Sequence, residues 1–319
     1  MAKITYAEAG TAALAEEMRL DPTVFELCTD ATASLLDEFG PERIRTTPIT
    51  ENTFTGMAVG AAGSGYRPVV NWRQVTFGFV AMDPIVNQAC KIHYMFGGQK
   101  KFPITFRAAV GGGTKLAAQH SQSPYSMFMN LAGLKIILPS TPYDMKGLLK
   151  SAIRDDDPVM SFESNRLMGY EGEVPDEDYT VPIGKADIKR EGSDITVVAI
   201  AWMVQEALVA AETLDKEGVS VEVVDPRTLS PMDGSTIRAS VRKTGRLLVA
   251  DEAGPTAGAS AEIASLATED PETFQAMKAP VLRVCALEAP IPYSPILEDH
   301  VFPNRKRIAD GIRSLLGSR

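Results

Sequence analysis

Short apolar runs separated by helix-length stretches recur along this chain, and that alternation limits the folds open to it. VFELC, PVVNW, PITFRAA, LKIIL and PVMSFE in the first half, then DITVVAIAW, VSVEVVD, RLLVADE and APVLRVCAL in the second, read as strands buried on both faces. Between them lie the small-residue segment that follows Glu51, the stretch from Asp83 to Phe96, the stretch from Pro142 to Arg154, and VQEALVAAETLDKEG, which should stop at Gly218. Strand and helix in turn predict an α/β chain with parallel or mostly parallel sheets flanked by helices. At the start, Thr5 followed by Glu8 has the spacing of a capping box, so a helix should begin there and run through the alanine-rich segment to Met18.

A chain of 319 residues is too long for one small core. Between Asn165 and Ser193 the composition turns acidic and rich in glycine and proline, as in GYEGEVPDEDYTVPIG, which predicts a linker crossing a surface. The expected organisation is therefore one domain over residues 1–190, linker included, and a second over 191–319.

Charge narrows the partners. The formal net charge is -9 and no block of like charge is longer than Asp155 to Asp157, which leaves no footprint for nucleic acid and no polybasic patch for a membrane. The N-terminus, MAKITYAEAG, lacks the apolar stretch of a secretory leader, and the expected location is cytoplasmic. Cys28, Cys90 and Cys285 lie far apart in apolar settings, which suits reduced core thiols.

Five features are open to a chemical reading, each beside an ordinary structural explanation. The glycines at 60, 63 and 65 and at 111 to 113 do not form GxGxxG between a strand and a helix, so they read as packing and turn residues. Glu51, after TTPIT and before NTFTGMAVGAAGSG, is either a helix-terminus charge or a placed chemical group. His120, in AAQHSQS, is either a surface loop residue or a group that exchanges a proton near neutral pH. Phe77 is a core ring or one that stacks on a heteroaromatic ligand, and Asp155 to Asp157 form a nest for a hard cation or a solvated acidic turn.

An ordered series of segments goes further: FGPERIRTTPITEN, GYRPVVNW, YMFGGQKKFPITFR, AAQHSQS, GLKIILPSTPYDMKGLLKSAIRDDDPV, VVDPRTLSPMD and PIPYSPILED, spread over nearly the whole chain. With this series the chain resembles the beta subunit of the thiamine-diphosphate-dependent first component of 2-oxoacid dehydrogenase complexes, the pyruvate, branched-chain and acetoin types. The resemblance implies a transketolase-like pyrimidine-binding domain followed by a transketolase C-terminal domain. It implies that Glu51 binds a nitrogen of the aminopyrimidine of thiamine diphosphate, that Phe77 lies against that ring, and that His120 handles the substrate carbonyl. It also implies a structural potassium ion bound through Ile104, Ala152, Ile153, Asp155 and Asp157.

The chain contains no GDG sequence. The resemblance supplies the missing half: an alpha subunit carrying GDG that grips the diphosphate through Mg²⁺, in a heterotetramer of two alpha and two beta chains, with a lipoyl acyltransferase core as a further partner. The implied reaction is decarboxylation of a 2-oxoacid with transfer of the acyl group to lipoamide. Against the family pattern stand the shorter segment CTDATASLLDEFG, Asn71 in place of a usual glutamate, and NLAG at Asn130 to Gly133 in place of a His-x-Pro-Gly segment. The alternatives are a thiamine-diphosphate carboligase, a split transketolase subunit or a non-catalytic scaffold subunit.

Overall fold

The computed structural model describes residues 1–317. The chain divides into two compact units, the first made of Met1–Val110 with Met127–Ile183, the second of Gly111–Ser126 with Gly184 onward.

The first unit holds β1 (Ala2–Thr5), β2 (Val24–Cys28), β3 (Ile44–Thr46), β4 (Arg67–Gln74), β5 (Thr105–Val110), β6 (Lys135–Ile137), β7 (Val159–Ser164) and β8 (Glu171–Val174). Its main sheet is parallel in the order β6-β7-β5-β4-β2-β3, while β1 and β8 form an antiparallel pair. The strands β2, β5 and β7 are buried along their whole length, as expected of a sheet covered on both faces, even where they carry Glu26, Arg107 and Glu163. The expected capping box is formed: Thr5 accepts from the Glu8 N–H, the Glu8 carboxylate accepts from the Thr5 N–H, and the helix runs Tyr6–Leu20.

The second unit holds β9 (Asp187–Arg190), β10 (Ile195–Ala199), β11 (Val221–Asp225), β12 (Thr228–Ser230), β13 (Leu247–Asp251) and β14 (Leu282–Cys285). Here the sheet order is β14-β13-β10-β11-β9, parallel except for β9, which runs antiparallel to β11. The helices Trp202–Asp215 and Arg305–Gly317 bury Val204, Ala211, Ile308 and Ile312 in its core. Both units are thus mostly parallel sheets flanked by helices.

Two local expectations differ from the structure. The stretch from Asp83 to Phe96 is not one α-helix but a π-helix, Pro84–Ala89, and a short α-helix, Ile92–Met95, preceded by a 3₁₀ turn over Val75–Ala81. Pro84 stands at the first position of the π-helix, where its missing N–H is not needed, the break falls at Cys90 and Lys91, and Gly97 and Gly98 at φ of 64° and 76° end the short helix at Phe96. The acidic stretch after Asn165 is also more ordered than a linker, because Glu171–Val174 pairs with the N-terminal strand.

Candidate functional site

Glu51 is the first residue of the helix Glu51–Gly63. The Thr53 and Phe54 N–H groups both bond back to the Thr50 carbonyl, at 2.8 and 3.1 Å, which closes the first turn. That places the carboxylate at the positive end of the helix, where a negative charge is favoured, and only 8% of Glu51 is exposed. The helix is fixed to its sheet by the fully buried Thr55, whose Oγ1 accepts the indole N–H of Trp72 at 3.0 Å. Trp72 in turn stacks on Phe106 with ring centroids 5.2 Å apart.

Phe77 lies in the 3₁₀ turn Val75–Ala81, which packs against the Glu51 helix. Its neighbour Gly78 lies over the Trp72 ring, where an added Cβ would come within 2.8 Å, so the turn can cross the indole only with glycine there. Core burial is the usual fate of a phenylalanine, yet Phe77 is 38% exposed. The structure therefore puts Glu51 and Phe77 on adjoining elements of the first unit.

His120 belongs to the second unit, at the end of the short helix Ala117–His120 and half-buried. The strap that carries it, Gly111–Ser126, is clamped at two places. Near its start, Glu298 Oε1 accepts the Gly113 N–H at 2.5 Å, and Lys115 Nζ lies 3.5 Å from the other oxygen of that fully buried carboxylate. Gly112 lies under Phe302, whose ring a Cβ would meet at 2.2 Å. Near its end, the Tyr125 hydroxyl donates to the buried Asp251 carboxylate. Burial and the Asp251 charge push the Tyr125 phenol well above its ordinary range. Burial likewise raises the Asp251 carboxyl, against the bonds from Tyr125 and the Ala253 N–H.

Ile104, Ala152, Ile153, Asp155 and Asp157 gather around one turn of the first unit, and basic side chains already occupy much of it. Lys135 Nζ donates to both Asp155 oxygens at 2.8 Å and lies 3.1 Å from Asp157, while Arg67 donates to the carbonyls of Ile153 at 3.1 Å and Asp155 at 2.8 Å. Burial works against the Lys135 charge, but its bonds to the two aspartates outweigh it and hold its pKa above the ordinary value. Among the described residues no group of three or more His, Cys, Asp or Glu side chains is arranged to hold a metal ion.

The departure at Asn71 has a partner that sequence reasoning passed over. Asn71 donates to Glu26 at 3.1 Å, beside the ion pair Arg107–Glu163 with bonds of 2.7 and 3.1 Å. Burial raises the Glu26 carboxyl, with Arg107 and Asn71 opposing. Its signal was visible as a lone acid inside the apolar strand VFELC. Asp251 and Glu298 were also missed, since each ends or follows an apolar run and looks like an ordinary solvated acid.

Comparison with known proteins agrees with this architecture. Residues 2–169 match the transketolase pyrimidine-binding domain and residues 184–308 the transketolase C-terminal domain. The acetoin:2,6-dichlorophenolindophenol oxidoreductase subunit beta of Bacillus subtilis (strain 168) is 44% identical over 90% of this chain and 83% of its own. The 2-oxoisovalerate dehydrogenase subunit beta of the same organism is 40% identical over 99% of each chain. The pyruvate dehydrogenase E1 component subunit beta-2 of Oryza sativa subsp. japonica is 44% identical over 94% of this chain and 83% of its own. Among solved structures, a split-gene transketolase described as an inactive beta4 tetramer superposes with a TM-score of 0.81 at 25% identity, covering 98% of each chain. The chain therefore belongs to the family of beta subunits of thiamine-diphosphate-dependent 2-oxoacid dehydrogenase first components, built from a transketolase pyrimidine-binding domain and a transketolase C-terminal domain.

Proposed function

We propose that this chain supplies the pyrimidine side of a thiamine diphosphate site completed by an alpha subunit, in an enzyme that decarboxylates a 2-oxoacid and passes the acyl group to lipoamide. The observation that carries the reading is Glu51: a buried carboxylate at a helix start, beside a half-exposed aromatic ring, on a helix whose outer face is left open. The exposed positions Asn52, Thr53, Gly56, Met57 and Gly60 form one stripe on that helix, and a Cβ added at Gly56 or Gly60 would meet nothing within 4 Å. Packing inside this chain does not require those glycines, and a smooth stripe suits close approach of a partner's backbone. Val80, Tyr94, Met95 and Phe96, all more than half exposed on the segments that follow Phe77, add apolar area for the same partner.

Thiamine diphosphate, when bound, supplies a ring carbon that adds to a carbonyl and stabilises the carbanion left by decarboxylation. In this reading Glu51 holds a proton toward the aminopyrimidine nitrogen, Phe77 packs on the ring, and His120 gives or takes a proton at the substrate carbonyl oxygen. The diphosphate and its Mg²⁺ fall to the alpha subunit, with two alpha and two beta chains in the assembly, a stoichiometry that native mass spectrometry reads directly. The higher identity to dehydrogenase beta subunits than to the split transketolase supports acyl transfer over ketol transfer.

A potassium ion at the turn of Ile104, Ala152, Ile153, Asp155 and Asp157 is part of the reading only through main-chain carbonyls, because Lys135 holds the carboxylates. Melting the chain in potassium and in choline salts tests it: equal midpoints in the two would remove the ion from the reading. The location in this reading is the cytoplasm; no helix among the described residues is long and apolar enough to cross a membrane.

The main test is reconstitution with a GDG-bearing alpha subunit and titration with thiamine diphosphate. Glu51→Gln should lower carbon dioxide release from 2-oxoacids by about 10²–10⁴-fold, the usual worth of a positioned acid or base. Unchanged turnover would dismiss the role of Glu51.

A further inference from the structure

Glu26 is an acid in the middle of β2, and only 1% of it is exposed. Strand register explains which groups it meets. In the sheet β4 lies between β2 and β5, with Asn71 level with Cys28 on one side and with Arg107 on the other, so Glu26, Asn71 and Arg107 share one face. The helix Tyr6–Leu20 covers that face, where a Cβ added at Gly10 would come within 3.0 Å of Arg107 Nη2. Arg107 is already committed to both oxygens of Glu163, at 2.7 and 3.1 Å, which leaves Glu26 its field but no hydrogen bond from it. A buried carboxyl without a donor is costly. Among the described residues the side chain that donates to Glu26 is Asn71, at 3.1 Å.

The other end of the same amide acts on the backbone. Asn71 Oδ1 accepts the Arg73 N–H at 3.0 Å, a bond reaching two residues along the chain. Arg73 has a φ of 65°, a conformation that strains any residue with a Cβ. Here the ladder with β5 shifts register, between Asn71 and Gln74, and the 3₁₀ turn that carries Phe77 begins at once, at Val75. Asn71 thus ties a buried acid to the place where β4 gives way to that turn. An amide does both because it has a donor and an acceptor, whereas a carboxylate at 71 could accept from Arg73 but would face Glu26 with no proton to give. The glutamate usual at this position is therefore excluded while Glu26 is present.

We propose that Glu26 and Asn71 act together as positioning residues: this acid–amide pair across β2 and β4 fixes the backbone at Arg73 and so sets the placement of the turn that carries Phe77. Its bearing on the reaction rests on the reading of Phe77 as the ring packed on the aminopyrimidine. The pair touches neither cofactor nor substrate and acts only through the turn.

The test needs neither cofactor nor partner: hydrogen–deuterium exchange of the full chain, read by mass spectrometry across Val75–Ala81 and across the helix Pro142–Arg154 as an internal reference. Asn71→Asp keeps the acceptor for Arg73 but sets a carboxylate against Glu26, and exchange of the turn should quicken at least about tenfold. Asn71→Ala removes both bonds without adding charge and should quicken it as well. Glu26→Gln combined with Asn71→Asp trades acid and amide between the strands, and should bring the turn back to within about threefold of the native rate. If Asn71→Asp alone does not fold, a folded double variant supports the pair in the same way. Unaltered exchange of the turn in Asn71→Ala, a double variant no better than Asn71→Asp, or equal acceleration in the reference helix would each overturn the proposal. Calorimetry with thiamine diphosphate on the enzyme reconstituted with its alpha subunit then reads Phe77 separately: Phe77→Leu and Asn71→Ala should each weaken binding at least about threefold, the worth of a lost ring contact. If exchange follows the trade while both of these variants bind the cofactor as the native chain does, the positioning pair stands and the reading of Phe77 falls.

Discussion

Glu51 and His120 are held in place by different kinds of support. The turn that presents Glu51 closes on Thr50, and its helix is tied to the sheet through Thr55 and Trp72, 17 residues apart. The strap that presents His120 is tied through Gly113 to Glu298 across 185 residues and through Tyr125 to Asp251 across 126. A local turn re-forms whenever its own residues are helical, whereas a strap held by remote acids is ordered only when the whole unit is folded around it. The first arrangement should therefore lose chemistry without losing order, and the second should lose order first.

The largest effect expected from that contrast is kinetic and confined to the first unit. Alongside the turnover loss of about 10²–10⁴-fold for Glu51→Gln, stability should change by no more than about 1 kcal/mol, the worth of one charge at a helix N-terminus. Chemical denaturation of the variant checks this, and a much larger loss would show that Glu51 is a structural acid. Next comes the remote clamp. Glu298→Ala removes a charged acceptor from the Gly113 N–H and a partner from Lys115, and should cost about 1.5–3 kcal/mol. Glu298→Gln keeps an acceptor and should recover much of it. Because the chain has only three histidines, the His120 ring signals can be followed by NMR, and they should broaden in the alanine variant and sharpen again in the glutamine one.

The same contrast explains what could be read from the sequence. Sheets, most helices and the Thr5 cap were legible because periodicity and capping act between near neighbours. Glu51 stood out as an acid at the head of a small-residue helix, and its exposed stripe of Gly56, Met57 and Gly60 follows from helical spacing alone. The break within Asp83 to Phe96 falls at Cys90 and Lys91, where neither proline nor glycine marks it, so it was not legible. Nor could the sequence show that Gly111–Ser126 joins the second unit, since its anchors Asp251, Glu298 and Phe302 lie more than a hundred residues away. Acids in those positions look solvated until the fold buries them.

A third prediction sharpens the account of the strap through pH. Tyr125→Phe takes the hydroxyl donor from buried Asp251 and should cost about 1–3 kcal/mol at neutral pH. Asp251 has a folded pKa raised above its unfolded one, so the folded state favours its protonated form. The native chain thus has the Asp251 contribution in full below the unfolded pKa and loses it as pH rises through the folded one. In the variant the carboxylate is left with less support, so the gap between the two proteins should be widest at neutral pH. It should narrow as pH falls and Asp251 is protonated in both. Urea melts at a series of pH values read the gap, and a constant gap would mean that Asp251 does not titrate with folding.

The smallest effect should come from the local side. Thr55→Val preserves shape but removes the acceptor of the Trp72 indole N–H, and the added methyl partly offsets the lost bond, leaving a cost of about 1 kcal/mol. The rest of the Glu51 helix keeps its buried face through Phe54, Ala58, Val59 and Ala62, so the first turn should stay formed and cofactor affinity in the assembled enzyme should fall only severalfold. Trp72 fluorescence in a Trp202→Phe background reports the loosened contact directly. If Thr55→Val instead costs as much as Glu298→Ala, or abolishes cofactor binding, the helix start is as dependent on its tertiary tie as the strap is. The distinction between a locally held acid and a remotely held histidine then disappears.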